Sequence, residues 1–129
     1  MHHALVVDDD APIRELVRMV LEGEGFVVHE APDGQVALDV LRRGQHPCVV
    51  LVDGFMPRLS GLELLEIVSR DAALARRHVD VLMTGSSEIS VPLGGAQPAT
   101  MPVHLLAKPF DIQALLDVVF SAAATLPSV

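Results

Sequence analysis

Cys48-Val49-Val50-Leu51-Val52 runs without a polar residue into Asp53. An unbroken apolar run of this kind reads as a strand covered on both faces, as the strands of parallel sheets are. Leu5-Val6-Val7 is a second such run, and it ends in Asp8-Asp9-Asp10. Between the two runs, Ile13, Leu16, Val17, Val20 and Leu21 recur at helical spacing on one face. Pro12 suits the first turn of that helix, Asp10 suits its cap, and Gly23 and Gly25 suit its end. Phe26-Val27-Val28-His29-Glu30 predicts another strand, and Pro32-Asp33-Gly34 a turn. Val36, Ala37, Val40 and Leu41 then form a second helical face, closed by Gly44 and Pro47.

The alternation continues on the other side. A loop over residues 53–60 precedes a third helix over about residues 61–69, marked by Leu62, Leu65, Ile67 and Val68. Val79-Asp80-Val81-Leu82-Met83 predicts a fourth strand and Val103-His104-Leu105-Leu106 a fifth. Asp111 caps a last helix that carries Leu115, Leu116, Val119 and Phe120. Between the last two strands, Pro92, Gly94, Gly95, Pro98 and Pro102 interrupt residues 88–102. Interior proline costs a helix about 3 kcal/mol, so the fourth helix is expected to be degenerate or shortened. Strand–helix alternation predicts right-handed crossovers and an α/β fold, a single doubly wound five-stranded parallel sheet.

Composition narrows the function. The 129 residues suit one domain, and 50% of them are hydrophobic, which excludes a disordered chain. No apolar run approaches the ~18 residues of a membrane span, and Met1-His2-His3-Ala4-Leu5 does not resemble a signal peptide. A cytoplasmic protein without membrane contact is the expectation. Cys48 is the one cysteine, so no internal disulfide or cysteine-rich zinc site is expected. Nine basic residues against seventeen acidic ones, with no Trp or Tyr and four Phe, predict no direct nucleic-acid binding.

In sheets of this type, ligands bind beyond the carboxyl ends of the strands. Strand one ends in Asp8-Asp9-Asp10, strand three in Asp53, strand four in Thr84, and strand five near Lys108, the only lysine. Three carboxylates brought together need a cation, and oxygen-only donors suit a hard ion such as Mg²⁺. The acids Asp8, Asp9 and Asp53, the Lys108 ammonium and one divalent ion sum to zero charge. A carboxylate in that setting is suited to attack phosphorus and become an aspartyl phosphate. The ammonium and a hydroxyl such as that of Thr84 would hold the transferring oxygens.

These residues resemble the receiver domain of bacterial two-component response regulators over the whole chain. Val6-Val7-Asp8-Asp9 resembles its acidic pair. Asp53-Gly54-Phe55-Met56-Pro57-Arg58-Leu59-Ser60-Gly61 resembles its D-x-x-M-P-x-x-x-G segment. Met83-Thr84-Gly85 resembles its hydroxyl site, and Lys108-Pro109-Phe110 its lysine with the proline that follows. The resemblance implies the flavodoxin-like strand order 2-1-3-4-5 and a cis peptide before Pro109. It implies Asp53 as phosphoacceptor, served by a histidine kinase or phosphotransfer protein, with Thr84 and Lys108 contacting the phosphoryl group. It implies Mg²⁺, replaceable by Mn²⁺, held by Asp8, Asp9, Asp53 and the backbone carbonyl of Phe55. Phe55 and Ser86 fall where receivers tune hydrolysis of the acyl phosphate. The output is contact with a downstream protein target. The chain is expected to be a monomer, with dimerisation on phosphorylation left open, and not an enzyme beyond its own phosphorylation and dephosphorylation. Residues 1–129 are read as one receiver domain without an effector domain, either stand-alone or cut from a longer protein.

Two positions depart from the family. Leu105 stands where receivers usually carry Tyr, Phe or His, and the adjacent His104 falls on the opposite face of its strand. The proline and glycine of residues 88–102 alter the usual output surface. An alternative function is therefore a phosphorylation-independent interaction domain on the same fold. A remote alternative is a phosphohydrolase similar to the haloacid dehalogenases, whose first motif Asp8-x-Asp10 imitates. Ala11-Pro12 stand where that class has Gly-Thr, and no acidic pair follows Lys108. Taken singly, Cys48 reads as a buried strand residue, Arg76-Arg77 as a solvated helix end, and the six scattered histidines as non-ligands.

Overall fold

The computed structural model describes residues 2–44, 46–54, 56, 59–84 and 103–127. Five strands, β1 (His3–Val7), β2 (Val27–Ala31), β3 (Cys48–Asp53), β4 (Val79–Thr84) and β5 (Val103–Ala107), form one sheet. All pairings are parallel, in the order β2-β1-β3-β4-β5. The helices are α1 (Ala11–Gly23), α2 (Gly34–Arg43), α3 (Gly61–Arg70), α4 (Ala72–Arg77) and α5 (Ile112–Ala123). No described helix is long and apolar enough to cross a membrane.

The period of the central strands splits the core in two. Val49 and Leu51 of β3, with Val81 and Met83 of β4, pack under Val17 and Leu21 of α1 and Leu115 and Val119 of α5. Val50 and Val52, with Leu82, pack under Leu38 and Leu41 of α2, Leu64 and Val68 of α3 and Leu74 of α4. Both faces of β3 are covered, and every residue of that strand is buried. This is the physical reason its sequence lacks polar alternation.

Each described helix begins at a side-chain cap. Asp10 accepts from the Ile13 amide at 3.3 Å, Asp33 from Val36 at 2.9 Å, and Asp111 from Ala114 at 2.7 Å. Ser60 and Glu63 form a reciprocal capping box, which satisfies two amides at once. Asp33 starts α2 at Gly34, inside the turn expected from the sequence. Asp71 ends α3 and caps α4, accepting from Ala73 and Leu74 at 3.1 and 3.2 Å. The short α4 was not foreseen as an element. Arg77 at its end is not merely solvated: it donates to the carbonyl of Gly44 at 2.8 Å and ties α4 to the end of α2. The expectation of a degenerate fourth helix falls on residues 88–102, outside the described residues.

One buried group breaks the apolar pattern. Asp80 stands in β4 in register with Val50 and Val103 and is fully buried. Neither carboxyl oxygen has a hydrogen-bond partner among the described residues. Burial pushes its pKa up to about 7, from an ordinary 3.8. Between those values the folded chain holds a proton that the unfolded chain releases, so stability falls as pH rises through the window and levels off above it. Asp80→Val is expected to raise the melting temperature. The gain should be small near pH 4 and grow towards pH 8, where the charged carboxylate costs a few kcal/mol. Thermal unfolding of both proteins across that range checks this; a gain independent of pH would show that the carboxyl does not titrate there.

Candidate functional site

The carboxyl ends of β1, β3 and β4 and the residues just after β5 bring together the acids, the hydroxyl and the lysine. Asp8 follows β1 and is fully buried. Its Oδ1 accepts from the Asp10 amide at 2.9 Å, and its Oδ2 accepts from Lys108 Nζ at 3.0 Å. Asp53, the last residue of β3, lies 3.4 Å from the same ammonium. Asp9 is exposed beside them. One carboxylate oxygen from each of Asp8, Asp9 and Asp53 falls within 4.8 Å of the others. That is an all-oxygen donor set of a size that suits a hard divalent cation.

Lys108 feels opposing influences. Partial burial works against its charge, but the hydrogen bond and charge of Asp8, reinforced by Asp53, outweigh burial and hold its pKa above the ordinary lysine value. The ammonium therefore stays charged through the physiological range. Its backbone amide donates to the carbonyl of Thr84 at 2.6 Å, which anchors the turn after β5 to the end of β4. The Lys108-Pro109 peptide is cis, as the resemblance implied. Thr84 is buried, and its hydroxyl has no hydrogen-bond partner among the described residues. An unsatisfied hydroxyl at a strand end beside this cluster can still take a ligand oxygen.

Two residues support the site in ways that only the packing reveals, Arg14 and the motif glycine Gly61. Arg14 of α1 donates to the Asp8 carbonyl at 2.7 Å and pairs with Glu30 of β2 at 3.0 Å, so it fixes the backbone that carries Asp8. A lone arginine on an amphipathic helix gives no sequence signal of that role. Gly61, the first residue of α3, lies against the end of β3. A Cβ there would overlap the carbonyl oxygen of Asp53 and come within 2.9 Å of its carbonyl carbon. Gly34 meets Leu59 in the same way, so Asp53 and Leu59 each lie against a glycine. The expected Phe55 carbonyl ligand and Ser86 lie outside the described residues.

The chain matches the response regulator receiver domain model over residues 4–120. It belongs to that family. Among curated relatives, it is 35% identical over 112 residues to the phosphate regulon transcriptional regulatory protein PhoB of Klebsiella pneumoniae, covering 87% of this chain and 47% of that protein. It is 36% identical over 120 residues to the transcriptional regulatory protein FixJ of Bradyrhizobium diazoefficiens, covering 93% of this chain and 56% of that one. The chain thus spans about half the length of the curated relatives it matches. Among solved structures, it superposes on chemotaxis protein CheY4 of Vibrio cholerae with a TM-score of 0.81 at 26% identity, covering 95% of this chain and 98% of that one. A CheY-like receiver from Methanospirillum hungatei gives 0.78 at 28%, with 94% of each chain covered.

Leu105 stands where the resemblance led to an expected Tyr, Phe or His. It pairs in register with Leu82, while His104 pairs with Val81, whose side chain belongs to the opposite core. Leu105 is 51% exposed. Gly61→Ala is expected to destabilise the domain by about 2 kcal/mol, because the backbone of Asp53 must shift to admit the methyl group. Chemical denaturation, with amide exchange at residues 53–54, checks both parts; unchanged stability would mean that the loop accommodates a Cβ freely.

Proposed function

We propose that this receiver is phosphorylated on Asp53 by a histidine kinase or phosphotransfer protein in a Mg²⁺-dependent reaction, and that the modification changes its contacts with a downstream protein target. The observation that carries the reading is the convergence of Asp8, Asp9 and Asp53 oxygens within 4.8 Å, beside a lysine ammonium 3.0 Å from Asp8 and 3.4 Å from Asp53. Asp8, Asp9 and Asp53, with the Phe55 carbonyl, would hold Mg²⁺, and Mn²⁺ offers the same hard-ion chemistry. The ion supplies positive charge to the transferring oxygens.

The residues divide the remaining work. An Asp53 carboxylate oxygen attacks phosphorus in line with the donor's phosphorus–nitrogen bond. That bond breaks, the imidazole leaves, and an acyl phosphate remains on Asp53. Lys108 donates to one phosphoryl oxygen and offsets charge as it develops. The Thr84 hydroxyl, without a partner among the described residues, donates to another. Water then hydrolyses the acyl phosphate and resets the domain. The chain is thus a signalling module that modifies itself. One sheet with helices on both faces supports reading residues 1–129 as one receiver domain. A phosphorylation-independent interaction role is the second reading, favoured by Leu105 in place of the usual aromatic switch.

Intact mass after incubation with Mg²⁺ and a small phosphodonor tests the proposal. Wild type should gain one phosphoryl group, the gain should vanish on chelation, and Asp53→Asn should gain none. Uptake by Asp53→Asn at the wild-type rate would move the acceptor elsewhere, and no uptake by either protein would favour the second reading. Sedimentation of the unmodified chain should show a monomer; a tight dimer without phosphate would contradict that expectation.

A further inference from the structure

The opposite end of the sheet carries different chemistry. There, Val40, Leu41 and Gly44 at the end of α2, with His46, Cys48 and His78, line a cavity of about 140 Å³ whose wall is mostly apolar. An apolar cavity of about 150 Å³ holds one benzene ring, so this one is of a size for a single leucine or phenylalanine side chain. The exposed His46 ring stacks on that of His3 at 4.2 Å, which holds this part of the wall against β1.

The surroundings of the cavity are basic. Arg42 and Arg43 lie in the last turn of α2, and Arg76 and Arg77 in the last turn of α4. The 2.8 Å bond from Arg77 to the Gly44 carbonyl brings the two pairs to one place. The Arg77 charge also acts on Cys48 and His78 in the cavity wall. Among the described residues, no ion pair engages Arg42, Arg43 or Arg76. Arg70, at the end of α3, is paired with Glu66 at 2.6 Å and adds little. Four of the nine basic residues of a chain with net charge −8 thus gather at one end of the sheet. A cation in the last turn of a helix offsets the helix dipole. That effect acts within one helix and requires neither the tie between α2 and α4 nor an apolar cavity beside it.

We propose that this end of the sheet docks an acidic segment of a partner protein, with one apolar side chain in the cavity and carboxylates against Arg42, Arg43, Arg76 and Arg77. The buried anchor would supply most of the affinity, and the charges would steer and orient the segment. The surface lies at the other end of β3 from Asp53, so an occupant there leaves the carboxylate cluster open.

Amide chemical shifts of the whole chain, titrated with acetyl-Glu-Glu-Phe-Glu-Glu-amide, test the surface. Saturable shifts should centre on Leu41–Gly44 and Arg76–His78, and added salt should weaken binding. Replacing the peptide's Phe with Ala should weaken it roughly tenfold. Arg42, Arg43 and Arg76 are exposed, so Arg42→Gln/Arg43→Gln/Arg76→Gln should fold and should bind at least about fivefold more weakly. Val40→Phe, which fills the cavity from within, should abolish the preference for Phe over Ala. The assignment is overturned by absence of saturable shifts, by shifts centred on Lys108, by equal binding of the Phe and Ala peptides to wild type, or by unchanged binding in the triple variant. Tighter binding of a short oligothymidylate than of the Phe peptide would also overturn it, because the surface would then select polyanions without an anchor.

Discussion

The buried carboxylate of Asp8 has one charged partner within reach among the described residues, the Lys108 ammonium at 3.0 Å. A fully buried carboxylate without a counter-ion is costly, and this pairing joins residues 100 positions apart in sequence. To make it, β1 and β5 must end at the same edge of the sheet with β3 and β4 between them. Asp53 is drawn into the same arrangement at 3.4 Å from Lys108. The strand order, the anchoring of Lys108 to Thr84, and the grip of Arg14 on the Asp8 carbonyl all serve to hold this charge cluster in place.

The two edges of the sheet therefore differ in chemistry as well as in direction. The carboxyl edge offers hard oxygen donors, one ammonium and a hydroxyl without a partner among the described residues, a set matched to phosphoryl transfer. The amino edge gathers imidazoles and a protonated thiol around a small apolar cavity. Between the two edges, Asp80 of β4, flanked by Val79 and Val81, is a buried carboxyl without a partner among the described residues, and burial moves its titration up to about 7. His78 shifts the other way: burial, aided by Arg77, lowers its pKa to about 4, so the ring stays neutral while it accepts from the Cys48 amide.

Leu105 stands where a receiver is expected to carry Tyr, Phe or His. A half-exposed leucine has no ring hydroxyl or imidazole to serve the relay expected of such a residue. On the proposed reading, the phosphoryl site and the surface that reports it are separable: Asp8, Asp9, Asp53, Thr84 and Lys108 are all present, and Leu105 stands at the expected relay position.

Much of this was legible in the chain itself. Unbroken apolar runs specify doubly covered strands, because strands with helices on both faces have no polar side. The caps Asp10 and Asp111 are local effects, since the side chain meets an amide three residues on. The acids at the ends of β1 and β3, Thr84 at the end of β4 and Lys108 just after β5 could be placed on one edge, because every strand in a parallel sheet ends there. Other features are settled only in three dimensions. The hold of Arg14 on Asp8, the contact of Gly61 with Asp53 and the burial of Asp80 without a partner among the described residues depend on which helix packs over which strand. The meeting of His3, His29 and His46 has no spacing signature, since each comes from a different segment. Local sequence determines what an element is and where it begins; which side chains then meet across elements is decided by packing.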